Sequence, residues 1–322
     1  MQSRFDPKRR RLLQGASLSL IALATGSTRE AFASTPTPRA KSASRLILLG
    51  TAGGPRPRKS RSASAQVIIA NDKAYVVDCG DGVARQLVLA GVPLATVRHV
   101  FLTHHHSDHN ADYGNLLLLA WTAGLRSRVD AWGPPPLERM TGLFFEMNAT
   151  DIAARIEDER RAPLATLVHP HDLSGGGLVM RDENLAVTSA LVHHPPMDRA
   201  FAYRFDAADR SIVISGDTTR SDALVELARG ADILVHEALL PEGMDRLVAG
   251  VPNAPGLKRS IMSHHTTAED AGRVAQAAGV KTLVLSHFVP AEDPAITEQM
   301  WADAAKKWFR GRVVVGRVLL EV

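Results

Sequence analysis

The chain has 322 residues, a formal net charge of +4 and a single cysteine, Cys79. One cysteine excludes both an intramolecular disulfide framework and a cysteine-rich structural zinc site. Six of the 38 basic residues and two of the 34 acidic ones lie in the first 33 positions. The rest of the chain is therefore balanced in charge, and it does not predict the net basic surface that is typical of nucleic-acid-binding proteins.

The amino terminus has the pattern of an export signal. Four basic residues at positions 8–11 precede an apolar run over residues 16–24, and Ala31-Phe32-Ala33 matches an A-x-A cleavage site. The pattern predicts a cleaved signal peptide over residues 1–33, carried by the twin-arginine export machinery. The apolar run is shorter than the roughly 20 residues needed to span a bilayer, so no stable membrane anchor is expected. We predict a periplasmic or secreted mature protein.

The folded domain is expected over residues 45–322, after a linker at 34–44 that is rich in Pro, Ser and Ala. Predicted strands at 46–49 and 74–77 each lead into a turn that contains glycine. Neither turn has the G-K-[ST] or the helix-opening G-x-G-x-x-G pattern of a phosphate-binding loop, so no nucleotide cofactor is expected.

The next predicted strand covers residues 97–102. The segment that follows it has the spacing H-x-H-x-D-H. Its members His104, His106, Asp108 and His109 supply imidazole nitrogens and a carboxylate, the ligands of zinc in open catalytic sites. They follow the carboxyl end of a strand, where α/β sheets usually bind their ligands. His105 is not included in the predicted site. In an extended segment its side chain would point away from those of His104 and His106. The pattern predicts a two-metal hydrolase centre.

Three later predicted strands also end in potential ligands or acid–base groups. Strand 211–215 leads to Asp217, strand 232–235 to Glu237, and strand 282–286 to His287. Predicted helices lie between these strands at 222–228 and 268–278, and Thr267 is expected to cap the second one.

Taken in order, these motifs resemble the metallo-β-lactamase fold, an α/β four-layer αββα sandwich. The turn at 78–82, with the sequence D-C-G-D-G, and the H-T-T-A-E-D segment at 265–270 are part of the resemblance. It is similar in particular to the branch that contains ribonuclease Z and the metal-dependent arylsulfatases. The resemblance runs from about residue 46 to residue 290, with an interruption at about 134–177.

The resemblance implies two zinc ions, with iron or manganese as alternatives. His104, His106 and His194 would bind the first metal, Asp108, His109 and His287 the second, and Asp217 would bridge both. His194 is preferred to His193 because the family places this ligand just before a short loop. That loop leads to a strand that contains an aromatic residue followed by arginine, here Tyr203-Arg204. The resemblance also implies catalytic roles. Asp108 would take or orient the proton of the attacking water, and His265, paired with Glu237, would protonate the leaving oxygen.

The substrate is expected to be a small molecule and not a nucleic acid. Ribonuclease Z binds tRNA through a long protruding arm, which is inserted between the positions that correspond to His194 and Asp217. In this sequence the two residues are only 23 positions apart. An exported, neutral protein would also meet no precursor tRNA. We therefore expect an exported binuclear zinc hydrolase of a phosphodiester or aryl sulfate that uses a metal-bridging hydroxide. The alternatives are a lactone hydrolase on the same centre, an iron-dependent oxidoreductase of the same fold, and a non-catalytic metal-storage protein.

The interruption at 134–177 carries several large apolar side chains and an amphipathic stretch near 152–161. It could form a lid over the metals or a peripheral helix that completes the core. Its exposed apolar surface could equally serve as a homodimer contact.

Overall fold

The computed structural model describes residues 43–322, so the predicted signal peptide and most of the predicted linker lie outside the described residues. The first strand begins at Arg45. Among the described residues, no helix is long and apolar enough to cross a membrane.

The described chain forms two seven-stranded mixed sheets. The first has the strand order β14-β1-β2-β3-β4-β5-β6, and the second has the order β13-β12-β11-β10-β9-β8-β7. The strands are β1 Arg45–Gly50, β2 Ala65–Ala70, β3 Lys73–Val77, β4 Val97–Phe101, β5 Val129–Gly133, β6 Val168–Asp172, β7 Gly177–Arg181, β8 Leu185–Val192, β9 Ala200–Ala207, β10 Ser211–Ile214, β11 Ile233–Leu239, β12 Thr282–Val289, β13 Arg312–Val315 and β14 Leu320–Glu321.

The α-helices of the described residues are α1 Val83–Leu89, α2 Ser107–Asn110, α3 Tyr113–Thr122, α4 Leu137–Met147, α5 Ala149–Glu159, α6 Asp222–Leu227, α7 Met244–Ala249, α8 Leu257–His264, α9 Ala268–Ala278 and α10 Glu298–Lys306. Several of them cover the outer face of a sheet. Side chains from α1 and α3 pack on the first sheet, and those from α6, α9 and α10 pack on the second.

The strand sequences explain the four layers. Alternate residues of a strand point to opposite faces of its sheet. In β1, Leu46 and Leu48 pack between the two sheets, whereas Ile47 and Leu49 pack against the outer helices. Both faces of these strands are thus buried, which requires apolar residues in succession. The predicted αββα sandwich is confirmed.

The segment 134–177 is built into the first sheet and its helical layer. Strand β6 extends that sheet by pairing in parallel with β5. Helix α4 packs on α3, where Tyr113 and Thr141 share a hydrogen bond of 2.8 Å. The ring of Phe144 lies directly over Gly114. This arrangement matches a peripheral helix that completes the core, and no residue of the segment lines the cleft described below.

Candidate metal centre

The carboxyl ends of β3, β4, β8, β10, β11 and β12 meet at one edge of the sandwich. All six strands run in the same direction within their sheets, because β8 and β10 are each antiparallel to β9, and the others pair in parallel. The side chains at or just after these strand ends therefore converge, although they come from positions far apart in the sequence. They are Asp78, His104, His106, Asp108, His109, His194, Asp217, Glu237 and His287.

The H-x-H-x-D-H segment changes conformation halfway along. It is extended up to His106, whose φ and ψ are −68° and 147°, and the single helical turn α2 follows at once. The extended part directs His104 and His106 to the same side, and the turn then brings Asp108 and His109 back to it. His105 lies apart from them, with Nε2 2.7 Å from the carbonyl oxygen of Pro134.

Four residues form the first donor group: His104, His106, His194 and Asp217. Nδ1 of His106 lies 3.0 Å from Nε2 of His104 and 3.1 Å from Nε2 of His194. Both Nε2 atoms are 3.8 Å from Oδ2 of Asp217. These are the residues that the resemblance implied for the first metal together with its bridging aspartate. His193 is exposed, whereas His194 is buried.

The second donor group contains Asp108, His109 and His287. Nε2 of His287 lies 3.3 Å from Oδ2 of Asp108 and 3.2 Å from Oδ2 of Asp217. Nε2 of His109 is 3.3 Å from Oδ1 of Asp217. Asp217 therefore lies between the two groups, as a bridging ligand would.

Two further acceptors hold the imidazole rings in place. Nδ1 of His109 donates to Oδ2 of Asp78 at 2.7 Å, and Nδ1 of His194 donates to the carbonyl oxygen of His264 at 2.9 Å. Each bond leaves the Nε2 lone pair free for a metal ion, and such outer hydrogen bonds also orient the ring. The sequence alone did not predict these two supporting roles. The D-C-G-D-G turn was a usable signal for Asp78, whereas a backbone carbonyl leaves no trace in the sequence.

The buried polar atoms of this centre fit a divalent metal. Nε2 of His109 and Oδ1 of Asp217 are buried 3.3 Å apart, and neither forms a hydrogen bond among the described residues. Buried groups of this kind are rarely left unpaired in native proteins. Imidazole nitrogens with carboxylate oxygens form the donor set that zinc, iron and manganese accept. The residues therefore fit the metals that the resemblance implied.

The charges of the centre favour an ionised Asp217. Burial by itself would raise the pKa of this carboxyl, but the adjacent His287 and His109 lower it well below its usual range. Asp108 behaves in the same way. Burial opposes its charged form, but His109 and His287 favour that form, and the pKa of Asp108 is therefore also lowered. Both carboxylates are thus available as anionic ligands.

His265 and Glu237 form a pair beside the two donor groups. Nδ1 of His265 lies 2.7 Å from Oε2 of Glu237, and the other carboxylate oxygen accepts the backbone N–H of Thr218 at 2.6 Å. Burial would lower the pKa of His265, but the carboxylate of Glu237 raises it to about 9.

The next helix, α9, begins after Thr267, whose side chain accepts from the backbone N–H of Asp270 as predicted.

Cys79 lies beneath the centre with no access to it. Its side chain is fully buried, and burial raises the pKa of the thiol well above its usual value. Its backbone N–H donates to the carbonyl oxygen of His109 at 2.6 Å. The turn therefore supports the second donor group through its backbone, and the cysteine is not placed to act as a nucleophile.

A cleft of about 330 Å³ opens onto the two donor groups. It is lined by His106, Asp108, Asp217 and His265, by the loop at 53–58 and by the segment that contains α7 and α8. Three of the predicted metal ligands and the predicted acid His265 thus face the same space.

The chain matches the profile of the Metallo-beta-lactamase superfamily over residues 60–287. It is 32% identical over 280 residues to Ribonuclease Z of Mycobacterium bovis (strain BCG / Pasteur 1173P2), which is 86% of this chain and 97% of that protein. Ribonuclease Z of Mycobacterium avium (strain 104) is 32% identical over 276 residues, which is 84% of this chain and 95% of that protein.

Two solved structures share the fold. The metallo-beta-lactamase fold protein YhfI from Bacillus subtilis superimposes with a TM-score of 0.63 at 20% identity, covering 87% of this chain and 98% of that one. Human tRNase Z, short form, superimposes with a TM-score of 0.62 at 22% identity, covering 86% of this chain and 98% of that one.

These relatives overturn the expectation of a small ester substrate and no nucleic acid. The match to the M. bovis protein extends over 280 residues and 86% of this chain, so no arm-sized insertion separates the two proteins. A chain without the long arm is nevertheless named Ribonuclease Z. The short interval between His194 and Asp217, which forms the β9–β10 hairpin here, was therefore not valid evidence against tRNA processing. The relatives give no support for arylsulfatase activity.

The metal-dependent hydrolases of this fold usually hold zinc, and the donor groups of this chain suit that metal. The profile match, the identity to full-length relatives and the two-sheet architecture agree with one another. The chain belongs to the metallo-β-lactamase superfamily, within its ribonuclease Z-like branch.

Proposed function

We propose that this protein is a ribonuclease Z-type endonuclease that hydrolyses a phosphodiester bond of RNA, with precursor tRNA as its substrate class. The observation that carries the proposal is the 32% identity to Ribonuclease Z over 97% of that protein, together with two adjoining donor groups that open onto one cleft. Arg56 and Arg58 also line the cleft and supply positive charge beside the centre. Positive side chains are what an RNA backbone requires.

The proposed resident metals are two zinc ions, held by the two donor groups with Asp217 between them. When bound, they would lower the pKa of a water molecule and stabilise negative charge on the phosphate oxygens. Oδ2 of Asp108 accepts the backbone N–H of Gly54 at 2.8 Å, which fixes the carboxylate at the cleft. There it can accept the proton of the attacking water.

His265 is placed to complete the reaction. Glu237 holds its Nδ1 proton, so Nε2 is directed away from that carboxylate and can protonate the leaving ribose oxygen. Thr218 in turn holds Glu237 through its backbone N–H. The acid–base pair is thus oriented by the backbone just after β10, which holds a carboxylate within β11.

The test is cleavage of a precursor tRNA transcript by the zinc-loaded protein, with the Asp217→Ala variant prepared identically. We expect a discrete cleavage product from the wild type and a loss of at least about a thousandfold in the variant. Asp198→Ala serves as the matched control, because Asp198 is exposed. Wild-type protein that hydrolyses bis(p-nitrophenyl) phosphate but leaves the transcript intact would contradict RNA as the substrate.

A further inference from the structure

The segment that contains α7 and α8 gives the cleft an apolar wall. Leu247, Val251, Leu257 and Ile261 line the cleft from this segment, and Val289 and Pro55 extend the same surface. His106, Asp108, Asp217 and His265 line the same cleft, together with Ser107, Arg56 and Arg58. The cleft therefore combines an apolar wall from the α7–α8 segment with the polar groups at which bond cleavage would occur.

The wall is anchored by a small apolar cluster of its own. Leu247 and Ile261 pack on Leu239, Met244 and Val289, which form a cluster separate from the cores of the two sheets. Because Leu247 and Ile261 contribute to both the cluster and the cleft, their side chains are held in place at the surface that a ligand would contact. Such an anchored apolar surface is what small-molecule sites use for affinity.

The size of the cleft limits what can bind there. Its volume of about 330 Å³ lies near the lower end of the range of ligand sites, which is about 300–1,000 Å³. That space suits one nucleoside-sized group with its phosphate and not a stacked helix. A nucleobase has two flat apolar faces, and both are covered by neighbouring bases while it remains in a duplex.

Building on the proposed function, we infer that the α7–α8 wall is a subsite for one unpaired nucleobase next to the scissile phosphate. A base on this wall places its phosphate near Asp217 and His265, which line the same cleft. Helix α8 ends at His264, whose carbonyl oxygen holds His194, and His265 is the next residue. The wall and the acid–base group therefore belong to one continuous segment.

The first test compares two chromogenic phosphodiesters that differ in the base. Thymidine 5′-(p-nitrophenyl phosphate) carries a nucleobase, and methyl p-nitrophenyl phosphate does not. We expect Ile261→Ala to raise KM for the thymidine ester about tenfold with kcat nearly unchanged, because the lost contact is made equally in the bound substrate and the transition state. Kinetics on the methyl ester should not change. Met262→Ala is the matched control, since Met262 is on the same helix, is partly exposed and does not line the cleft.

Leu247→Ala is the second variant, on α7, and thermal melting checks that each variant is folded. Equal effects of both substitutions on the two esters, or no effect on either, would overturn the subsite. A third measurement uses only wild-type protein. Annealing a complementary oligonucleotide across the cleavage point of the RNA should abolish cleavage, and undiminished cleavage of the duplex would also overturn it.

The two proposals fail in different ways. Cleavage of precursor tRNA without discrimination between the two esters would leave the proposed function standing and remove the subsite. Hydrolysis of both small esters without cleavage of RNA would contradict the proposed function.

Discussion

Asp78 shows how much the metal centre depends on a residue that is not itself a ligand. Its Oδ2 accepts from Nδ1 of His109, while Oδ1 accepts the backbone N–H of Thr103 at 2.8 Å. The backbone at Asp78 has a φ of 58°, in the left-handed region that non-glycine residues rarely adopt. The strained backbone at this buried aspartate is explained by its two hydrogen bonds, one to the backbone of Thr103 after β4 and one to the imidazole ring of His109.

We expect Asp78→Asn to weaken metal binding by about 10- to 100-fold, because the amide no longer stabilises the proton on Nδ1 of His109 as well as the carboxylate does. Zinc affinity, measured by competition with a chromophoric chelator, checks this expectation. Asp72→Asn, in the turn between β2 and β3, is the control for a general effect of a charge change. Unchanged affinity would mean that His109 is oriented without Asp78.

We expect His265→Asn to lower kcat for RNA by about 10²- to 10⁴-fold, the usual contribution of a general acid. The loss should be much smaller for bis(p-nitrophenyl) phosphate, since p-nitrophenolate leaves without being protonated. Metal content should stay at the wild-type level. Asp217, Glu237, His265 and His287 could also hold an ion between them, so a loss of metal in this variant would indicate that His265 is a ligand and not an acid.

Helix α4 illustrates at the scale of the element why the segment 134–177 was ambiguous. Its sequence is amphipathic, and its apolar side chains could have covered a substrate or a neighbouring helix. The deciding contact is the approach of Phe144 to Gly114 on α3. Only glycine leaves room for the ring at that position, so α4 is held against the helical layer and not over the cleft.

Gly114→Ala should therefore destabilise the protein by about 1–3 kcal/mol, the usual effect of overpacking. A Cβ built at this position would lie 2.3 Å from the ring of Phe144. Gly142→Ala is the matched control on α4, because a Cβ there meets nothing within 4 Å, and it should be neutral or stabilising by about 1 kcal/mol. Thermal unfolding checks both variants. Equal melting temperatures would contradict the packing of α4 on α3.

At the scale of the whole molecule, the metal centre joins the two sheets. The ligands that follow β4 belong to the first sheet, whereas His194, Asp217 and His287 belong to the second. Metal ions held between them would tie the sheets together at one edge. Nε2 of His109 and Oδ1 of Asp217, two buried ligand atoms that form no hydrogen bond among the described residues, would then be satisfied.

We expect removal of metal to lower the melting temperature as well as to abolish activity. A ligand that binds only the folded state, at a thousandfold excess over its Kd, stabilises that state by about 4 kcal/mol. Calorimetry of the zinc-loaded and the chelator-treated protein measures the difference, and added zinc should restore both the melting temperature and the activity. Asp217→Ala should show no such response. A zinc-independent melting temperature in the wild type would argue against a metal that bridges the sheets.

The predicted export of the protein remains a prediction, because residues 1–33 lie outside the described residues. Cell fractionation should find a shortened chain outside the cytoplasm, with Ser34 at its amino terminus, and Arg9→Lys with Arg10→Lys should retain the precursor. A full-length chain in the cytoplasm would contradict the prediction and would place the protein where precursor tRNA is made. An exported chain would have to act on RNA outside the cytoplasm.

The sequence alone was sufficient for the αββα fold, because strands with apolar residues on both faces require covering layers. Its short motifs with metal-binding spacing also named the side chains that the structure brings together in the two donor groups, and their role as metal ligands stays a prediction. The same motif order predicted the family, but the missing arm led to a wrong conclusion about the substrate, because an absent segment does not exclude another way of binding RNA.

Only the tertiary structure decided which groups support the ligands and which segment borders the cleft. The carbonyl oxygen of His264 and the packing of Phe144 on Gly114 depend on residues far apart in the chain. The apolar wall from α7 and α8 likewise shares a cleft with Asp217 and His265 only after both sheets are in place. Metal-binding spacing is a local property of the sequence, whereas the shape of a cleft is set by contacts between distant elements.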